Sequence, residues 1–151
     1  GAAFAMIMSE DMVKELNLEP IARLVNSAAA GVEPRIMGIG PVKAIPKALK
    51  LAGLKQSDLD LIELNEAFAA QALGVMYQLS EQHDLPLDEF KPKVNVNGGA
   101  IALGHPLGAS GNRIIVSLIH EMLEQKTTYG VASLCVGGGM GTAVLLKGIE
   151  G

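Results

Sequence analysis

Residues 131–141 have the sequence VASLCVGGGMG, in which an apolar run ends at the only cysteine of the chain and passes into a glycine cluster. A short apolar run predicts a buried strand, and glycines at its end allow a sharp turn and a close approach of the backbone to a ligand. We therefore predict strands over Tyr129–Val136 and Thr142–Lys147, separated by a glycine turn. A lone cysteine is more often a small buried apolar residue than a catalytic thiol. A catalytic interpretation of Cys135 therefore needs support from the rest of the chain.

The composition bounds the class of protein. With 151 residues, 49% of them apolar, the chain is long enough to bury the core of one globular domain. The net charge is −4 and the basic residues are scattered, which argues against a nucleic-acid partner. The chain contains no run of 18 apolar residues, so the sequence predicts no membrane span. A single cysteine excludes an internal disulfide and a CxxC zinc site, and it predicts a reducing compartment, the cytoplasm.

Strands and helices alternate along the chain. The other predicted strands are Ala2–Met8, Ile21–Ala30, Leu59–Leu64 and Val94–Val96. The predicted helices run from a Ser9 cap through Leu16, from Pro41 to a stop at Gly53, over Glu66–Ser80, and onward from a Ser110 cap. Residues 81–93 carry charges and two prolines, which predicts a surface loop. This alternation predicts an α/β sandwich around a largely parallel sheet.

Three polar residues follow or end predicted strands. Asn65 follows the strand that ends at Leu64, His105 lies in the glycine-rich segment after Val94–Val96, and Cys135 ends its own strand. Ligands gather at the carboxyl ends of strands in such sheets, so these side chains are predicted to converge. Each also has a structural interpretation. Asn65 could cap the following helix, and His105 could be a buried, hydrogen-bonded histidine.

The spacing of residues in the glycine-rich segments argues against a nucleotide-phosphate site. Position 142 is threonine, so the GxGxxG dinucleotide fingerprint is absent, and neither segment is followed by the Lys-Ser or Lys-Thr of a P-loop. One histidine and one cysteine fall short of a metal-ligand set, and His83 and His120 are predicted to be solvated. A histidine, a thiol and glycine N–H groups instead indicate acyl-transfer chemistry, with a base, a thiol and an oxyanion hole.

Four long motifs occur in order and closely resemble the C-terminal signatures of the thiolase family. They are GVEPRIMGIGP at 31–41, NEAFAAQ at 65–71, NVNGGAIALGHPLGASG at 95–111 and CVGGGMG at 135–141. The resemblance implies a thiolase-like C-terminal domain over residues 19–151, a layered α/β/α fold with a mixed, mostly parallel sheet of about five strands. It also implies that residues 1–18 are the last strand and helix of the N-terminal thiolase domain, displaced, disordered or paired with another chain.

The same resemblance implies an acetyl-CoA C-acetyltransferase, which condenses two acetyl-CoA to acetoacetyl-CoA or runs the reverse cleavage of 3-ketoacyl-CoA. His105 is expected to deprotonate a nucleophilic cysteine and later to help hold the enolate oxygen. Asn65 is expected to position a water in that oxyanion hole, and Cys135 to be the acid/base at the α-carbon. The Gly137 N–H is expected to help stabilise the tetrahedral intermediate.

The resemblance extends to substrate and partners. Met37 and Phe68 match positions that line the acyl pocket, coenzyme A thioesters are the substrates, and no further cofactor or metal is implied. The family implies a homo-oligomer and an N-terminal domain that carries the nucleophilic cysteine. Because that second cysteine is missing here, we expect this C-terminal half to have no turnover alone. A 3-ketoacyl synthase and a non-catalytic assembly module remain as alternatives, and the acyl chain length and the direction of reaction stay open.

Overall fold

A four-stranded sheet lies at the centre of the computed structural model, which describes residues 1–149. Its strands are β1 (Ala22–Gly31), β2 (Leu61–Leu64), β3 (Tyr129–Val136) and β4 (Met140–Gly148), in the spatial order β1-β4-β3-β2. Both β1 and β3 are antiparallel to β4, whereas β2 is parallel to β3. The predicted α/β class and the mixed sheet are therefore confirmed.

The strand count and the strand directions differ from the prediction. The sheet has four strands rather than about five, and only one of its three pairings is parallel, so "mostly parallel" was wrong. The reason lies in residues 137–139, which alone separate β3 from β4. Three residues can close a hairpin, whereas a parallel connection needs a dozen or more. Gly138 and Gly139 make this turn with φ values of 90° and 94°.

The missing fifth strand is the one predicted over Val94–Val96. Only Val94 pairs with the sheet, through a single parallel bridge to Ile62. The next residue, Asn95, takes a left-handed φ of 48°, which ends the extended conformation after one residue. A strand was predicted because short apolar runs do not reveal where the backbone turns.

Helices cover both faces of the sheet and confirm the layered arrangement. They are α1 (Glu10–Glu15), α2 (Pro41–Ala52), α3 (Ala69–Gln82), α4 (Leu87–Phe90), α5 (Ala100–Leu103) and α6 (Ser110–Gln125). Short 3-10 helices occupy Pro34–Ile39, Gln56–Asp58 and Lys91–Lys93. The first face packs against α2 and α3, and the second packs against α6. Within residues 1–149, each helix is too short or too polar to cross a bilayer.

The amino-terminal segment lies outside the sheet. Residues 2–8, predicted as a strand, form no regular structure and none of them is buried, with Phe4 91% exposed. A strand needs a neighbour for its backbone groups, and this segment pairs with none of the four strands. The predicted Ser9 cap is present, because the Ser9 hydroxyl accepts from the Met12 N–H at 3.3 Å.

Residues 81–93 were predicted as a surface loop, and this prediction was only partly right. The segment contains the single turn of α4 and the following 3-10 helix, and it inserts Phe90 into the core with 1% exposure. Charged and proline residues around Phe90 conceal this buried position in the sequence. The predicted ends of α3 also move, since the helix begins at Ala69 and ends at Gln82.

The start of α2 meets the sheet backbone to backbone at two glycines. A Cβ added to Gly141 would lie 2.1 Å from the Gly40 carbonyl carbon, and a Cβ added to Gly40 would lie 2.3 Å from the Met140 oxygen. Gly141 stands opposite Cys135 in β3 and opposite Ala30 in β1. The contact therefore fixes α2 against the sheet beside the cysteine.

One buried carboxyl faces the α6 layer. Glu63, in the middle of β2, is 3% exposed, and burial raises its pKa to about 7. The Arg113 guanidinium on α6 opposes this rise, whereas Glu66 and Glu121 add to it. The net effect is that Glu63 exchanges its proton near neutral pH, where an exposed carboxyl would be fully ionised.

We predict that Gly141→Ala destabilises the chain by about 3 kcal/mol, because the new methyl group has no space without a backbone shift. Gly74→Ala is the matched control, since a Cβ at Gly74 meets nothing within 4 Å. In the interior of α3 that change should stabilise by up to about 1 kcal/mol. Urea unfolding followed by circular dichroism measures both. Equal stabilities for the two variants would contradict the close contact.

We also predict a pH dependence that comes from Glu63. Since its folded pKa is raised above the ordinary 4.5, its contribution to stability is greatest below pH 4.5 and falls as the pH rises to about 7. The loss amounts to about 3 kcal/mol. Glu63→Gln removes this pH-dependent loss. The free energy of unfolding of the variant should therefore increase relative to that of the wild type between pH 4.5 and 8. The exposed Glu19→Gln serves as the control, and parallel pH curves for all three proteins would refute the assignment.

Candidate active site

The ends of β2 and β3 bring two predicted site residues to one edge of the sheet. Asn65 directly follows β2, and its main-chain N–H donates to the Ser133 carbonyl at 2.9 Å. Cys135 lies two residues further along β3, and Gly137 begins the glycine turn beyond it. Parallel pairing of β2 with β3 therefore places both polar residues at the carboxyl ends of adjacent strands.

His105 joins this edge through the side chain of Asn65. The Asn65 amide nitrogen and the His105 Nε2 atom are 3.3 Å apart. Asn65 is 1% exposed, and α3 begins only at Ala69, so Asn65 is not the cap of that helix. Its Oδ1 atom is buried and has no hydrogen-bond partner within residues 1–149. The structure thus pairs the two residues and leaves a buried acceptor beside them.

Ser110 holds the other side of the imidazole ring. Its Oγ atom is 2.6 Å from His105 Nδ1 and donates to the Pro106 carbonyl at 3.1 Å. Ser110 was predicted to cap α6, but it is the first residue of that helix, and the cap position is Ala109. A serine at the start of a helix resembles a cap in sequence, which is why its contact with the histidine was missed.

These contacts select one tautomer of His105. Since the Ser110 hydroxyl donates to Pro106, its oxygen can accept a hydrogen bond from Nδ1–H. The Nε2 atom then carries the lone pair and accepts from the Asn65 amide. A hydrogen-bond chain therefore runs from Asn65 through His105 and Ser110 to Pro106, and it presents Nε2 as the basic nitrogen.

Cys135 is buried and is not part of this chain of hydrogen bonds. Within residues 1–149, its sulfur makes no hydrogen bond to Asn65 or His105. Burial raises the pKa of the Cys135 thiol, and a backbone hydrogen bond only partly opposes the shift. The protonated thiol is therefore the form that this environment favours at neutral pH.

An open depression of about 460 Å³ links the histidine to β3. Its lining includes His105, Ser110 and, from β3, Leu134, whereas Cys135 is not part of it. Pro106, Leu107, Gly108, Gly111 and Asn112 complete it. The side chain of His105 is exposed here, so the basic nitrogen can be approached from outside the domain.

The two predicted pocket residues lie on neighbouring segments. Met37 is half-buried in the 3-10 helix Pro34–Ile39, whereas Phe68 is 74% exposed at the start of α3. The Gln71 amide donates to the Gly38 carbonyl at 3.0 Å and joins these segments. The structure therefore brings their backbones together, and Phe68 points largely into solvent.

Comparison with known proteins gives a consistent result. The sequence model described as "Thiolase, C-terminal domain" matches residues 18–148. A probable acetyl-CoA acyltransferase of Staphylococcus epidermidis is 55% identical over 150 residues, which are 99% of this chain and 36% of that protein. A 3-ketoacyl-CoA thiolase of Bacillus subtilis is 52% identical over 143 residues, covering 95% of this chain and 34% of its own.

Solved structures that superimpose on this chain belong to the same class of protein as the relatives found by sequence. Human mitochondrial 3-ketoacyl-CoA thiolase superimposes with a TM-score of 0.84 at 51% identity, over 94% of this chain and 34% of that one. The Bacillus anthracis acetyl-CoA acetyltransferase gives 0.84 at 48% identity, with the same coverage. The chain spans about a third of the length of these relatives, rather than the half expected from sequence. With its fold and its motifs both matched, the chain belongs to the thiolase family and corresponds to the thiolase C-terminal domain.

Proposed function

We propose that this chain is the C-terminal part of an acetyl-CoA C-acetyltransferase, which condenses two acetyl-CoA to acetoacetyl-CoA or cleaves a 3-ketoacyl-CoA. One observation carries the proposal: the hydrogen-bond chain from Asn65 through His105 to Ser110, next to the strand end that bears Cys135. The names of the relatives, acetyl-CoA acetyltransferase and 3-ketoacyl-CoA thiolase, support the same reaction class.

His105 acts first as a base and then as a hydrogen-bond donor. Its Nε2 lone pair, once the Asn65 amide releases it, takes the proton of a nucleophilic cysteine in the rest of the longer protein, and the thiolate attacks the thioester carbonyl. The bond to coenzyme A then breaks, and coenzyme A leaves as its thiol with the proton of Cys135, which becomes a thiolate. The resulting Nε2–H then donates to the enolate oxygen that develops in the carbon–carbon step. A single oriented donor of this kind is worth roughly 2.7–4 kcal/mol in the transition state.

Asn65 supplies the second element of this oxyanion hole by holding a water. Its buried Oδ1 has no partner among residues 1–149, and a buried acceptor without a donor costs about 1–3 kcal/mol. A water that donates to Oδ1 removes this cost and turns its second hydrogen toward the enolate oxygen. Because the Asn65 amide lies 3.3 Å from Nε2, the water and the Nε2–H reach the enolate oxygen from the same side.

Cys135 carries the proton of the carbon–carbon step. In the cleavage direction the nucleophilic thiolate bonds to the 3-keto carbon, the carbon–carbon bond breaks, and the Cys135 thiol gives its proton to the α-carbon of the departing enolate. In condensation the Cys135 thiolate removes that proton, and the α-carbon bonds to the acetyl carbonyl carbon held on the nucleophilic cysteine. The bond from this carbon to the cysteine sulfur then breaks, and the nucleophilic cysteine regains its proton from the His105 Nε2–H. The raised pKa of the buried thiol suits the donor role, and the Gly137 N–H stabilises the oxyanion of the tetrahedral intermediate.

The rest of the longer protein covers the apolar surface that residues 1–149 leave exposed beside the site. Apolar side chains at the rim of the site, including Leu107 and Phe68, lie in solvent. Exposed apolar clusters mark interaction surfaces. We therefore assign this rim to the contact with the N-terminal thiolase domain, where Met37 and Phe68 close the acyl pocket, and we retain the expectation of a homo-oligomer.

The isolated chain should form no acetoacetyl-CoA from acetyl-CoA above the uncatalysed background. The reaction uses two thiols, and the chain contains one cysteine. The matched control is a chimera in which this chain replaces the corresponding third of the Bacillus subtilis 3-ketoacyl-CoA thiolase, which should turn over. Mass spectrometry of the acyl-CoA products measures both. Turnover by the isolated chain would overturn this part of the proposal.

In the chimera, Cys135→Ser should lower kcat by roughly 10²–10⁴-fold, because the general acid/base of the carbon–carbon step is lost. The acetyl group should still load onto the nucleophilic cysteine, as seen by a mass increase of the intact protein. His105→Ala should lose that loading, because the base that activates the nucleophile is missing. Unchanged activity of the Cys135→Ser variant would favour a non-catalytic assembly module instead.

A further inference from the structure

The outer edge of β2 is covered by one side chain instead of a strand. The Asn95 main-chain N–H donates to the Ile62 carbonyl at 2.9 Å, and the chain then turns away. The Asn95 side chain continues the pairing, since its Oδ1 accepts from the Leu64 N–H and its Nδ2 donates to the Leu64 carbonyl, both at 2.8 Å. Both backbone groups of the residue that precedes Asn65 are thereby fixed.

The same amide connects this edge to Glu66. Asn95 Nδ2 also donates to Glu66 Oε1 at 3.1 Å, and Glu66 Oε2 accepts from the Ile101 N–H at 3.0 Å. Ile101 lies in the first turn of α5, whose N–H groups have no partners within the helix. Only Gly104 separates the last residue of this short helix, Leu103, from His105. The carboxylate therefore joins the end of β2 to the segment that carries the histidine.

Gly99 shows how closely the carboxylate is packed. A Cβ at this position would lie 2.3 Å from the Glu66 carboxyl carbon, although the φ of Gly99 is an ordinary −112°. The glycine is thus needed for space and not for backbone conformation. Asn95, Glu66 and the α5 start form one unit that spans the two segments bearing Asn65 and His105.

We propose that Asn95 and Glu66 are positioning residues, an inference that rests on the proposed function. They hold Asn65 and His105 at hydrogen-bonding distance. Neither touches reacting atoms. The amide-to-imidazole distance of 3.3 Å lies at the long end of the hydrogen-bond range, so a small displacement breaks the contact. Loss of this alignment misplaces the base and the oxyanion donors together, and a 1 Å error can lower a rate about 100-fold.

The test compares Asn95→Ala with Asn26→Ala. Asn26 also donates its amide to a backbone carbonyl, that of Ala48, at 3.1 Å, but it lies on β1, away from the candidate site. In the chimera, assayed well below its melting temperature, Asn95→Ala should lower kcat roughly 10–100-fold with little change in KM. Asn26→Ala should leave both constants unchanged. The Asn95→Ala and Glu66→Ala double variant should be no slower than the slower single variant, because the two act as a unit.

A readout independent of activity separates this inference from the proposed function. The chain has three histidines, so ¹⁵N NMR of the ring nitrogens of the 151-residue chain reports on His105 with His83 and His120 as internal references. Asn95→Ala should move only the His105 resonances, and Asn26→Ala none. If the wild-type chimera is inactive, the proposed function fails, while the NMR result still decides the positioning role. Unmoved His105 resonances in Asn95→Ala, or additive effects on kcat in the double variant, would overturn the inference.

Discussion

The packing of Gly40 against Gly141 is the constraint on which the arrangement of this domain depends. Two main chains meet there without side chains between them, so α2 lies closer to the sheet than any other residue pair would allow. Gly141 is also the strand partner of Cys135 and of Ala30. A single close contact thus sets the position of one helical layer, of β4 as one of the two central strands, and of the backbone opposite the thiol. Rigid main-chain packing of this kind leaves side chains at the strand ends little freedom to drift.

The polar residues of the site depend on the backbone in a similar way. Asn65 is tied to β3 by its N–H and is preceded by a residue whose two backbone groups are held by Asn95. His105 is fixed by hydrogen bonds at both ring nitrogens. Such groups lose little further freedom when a substrate binds, which is the condition under which hydrogen-bond donors stabilise a developing charge effectively.

Much of this arrangement could be predicted from the sequence, and the exceptions have physical causes. The bounds of β3, the stop of α2 at Gly53 and the placement of Asn65 and Cys135 at strand ends follow from apolar runs that end in glycine or in a polar residue. The direction of β4 follows from the short glycine turn, but the antiparallel pairing of β1 with β4 does not, because hydrophobic pattern reports burial and not strand direction. Asn95 ended a predicted strand through its left-handed backbone, which no neighbouring residue signals. The contact of Ser110 with the histidine depends on a tertiary fold that places a helix start behind the ring.

The burial of the three candidate site residues differs, and under the proposed function this difference explains why the domain would need the rest of the longer protein. Asn65 and Cys135 are buried by their own sheet, so their environment, including the raised pKa of the thiol, is set within this chain. His105 is oriented by Asn65 and Ser110 but remains exposed. In the proposed reaction its Nε2–H, left in water, would compete with solvent for the enolate oxygen, and the same donor becomes far stronger where water is excluded. Orientation of the histidine is therefore local, whereas its strength as a donor depends on the surface that covers it. That division matches a family in which the C-terminal domain is about a third of the enzyme.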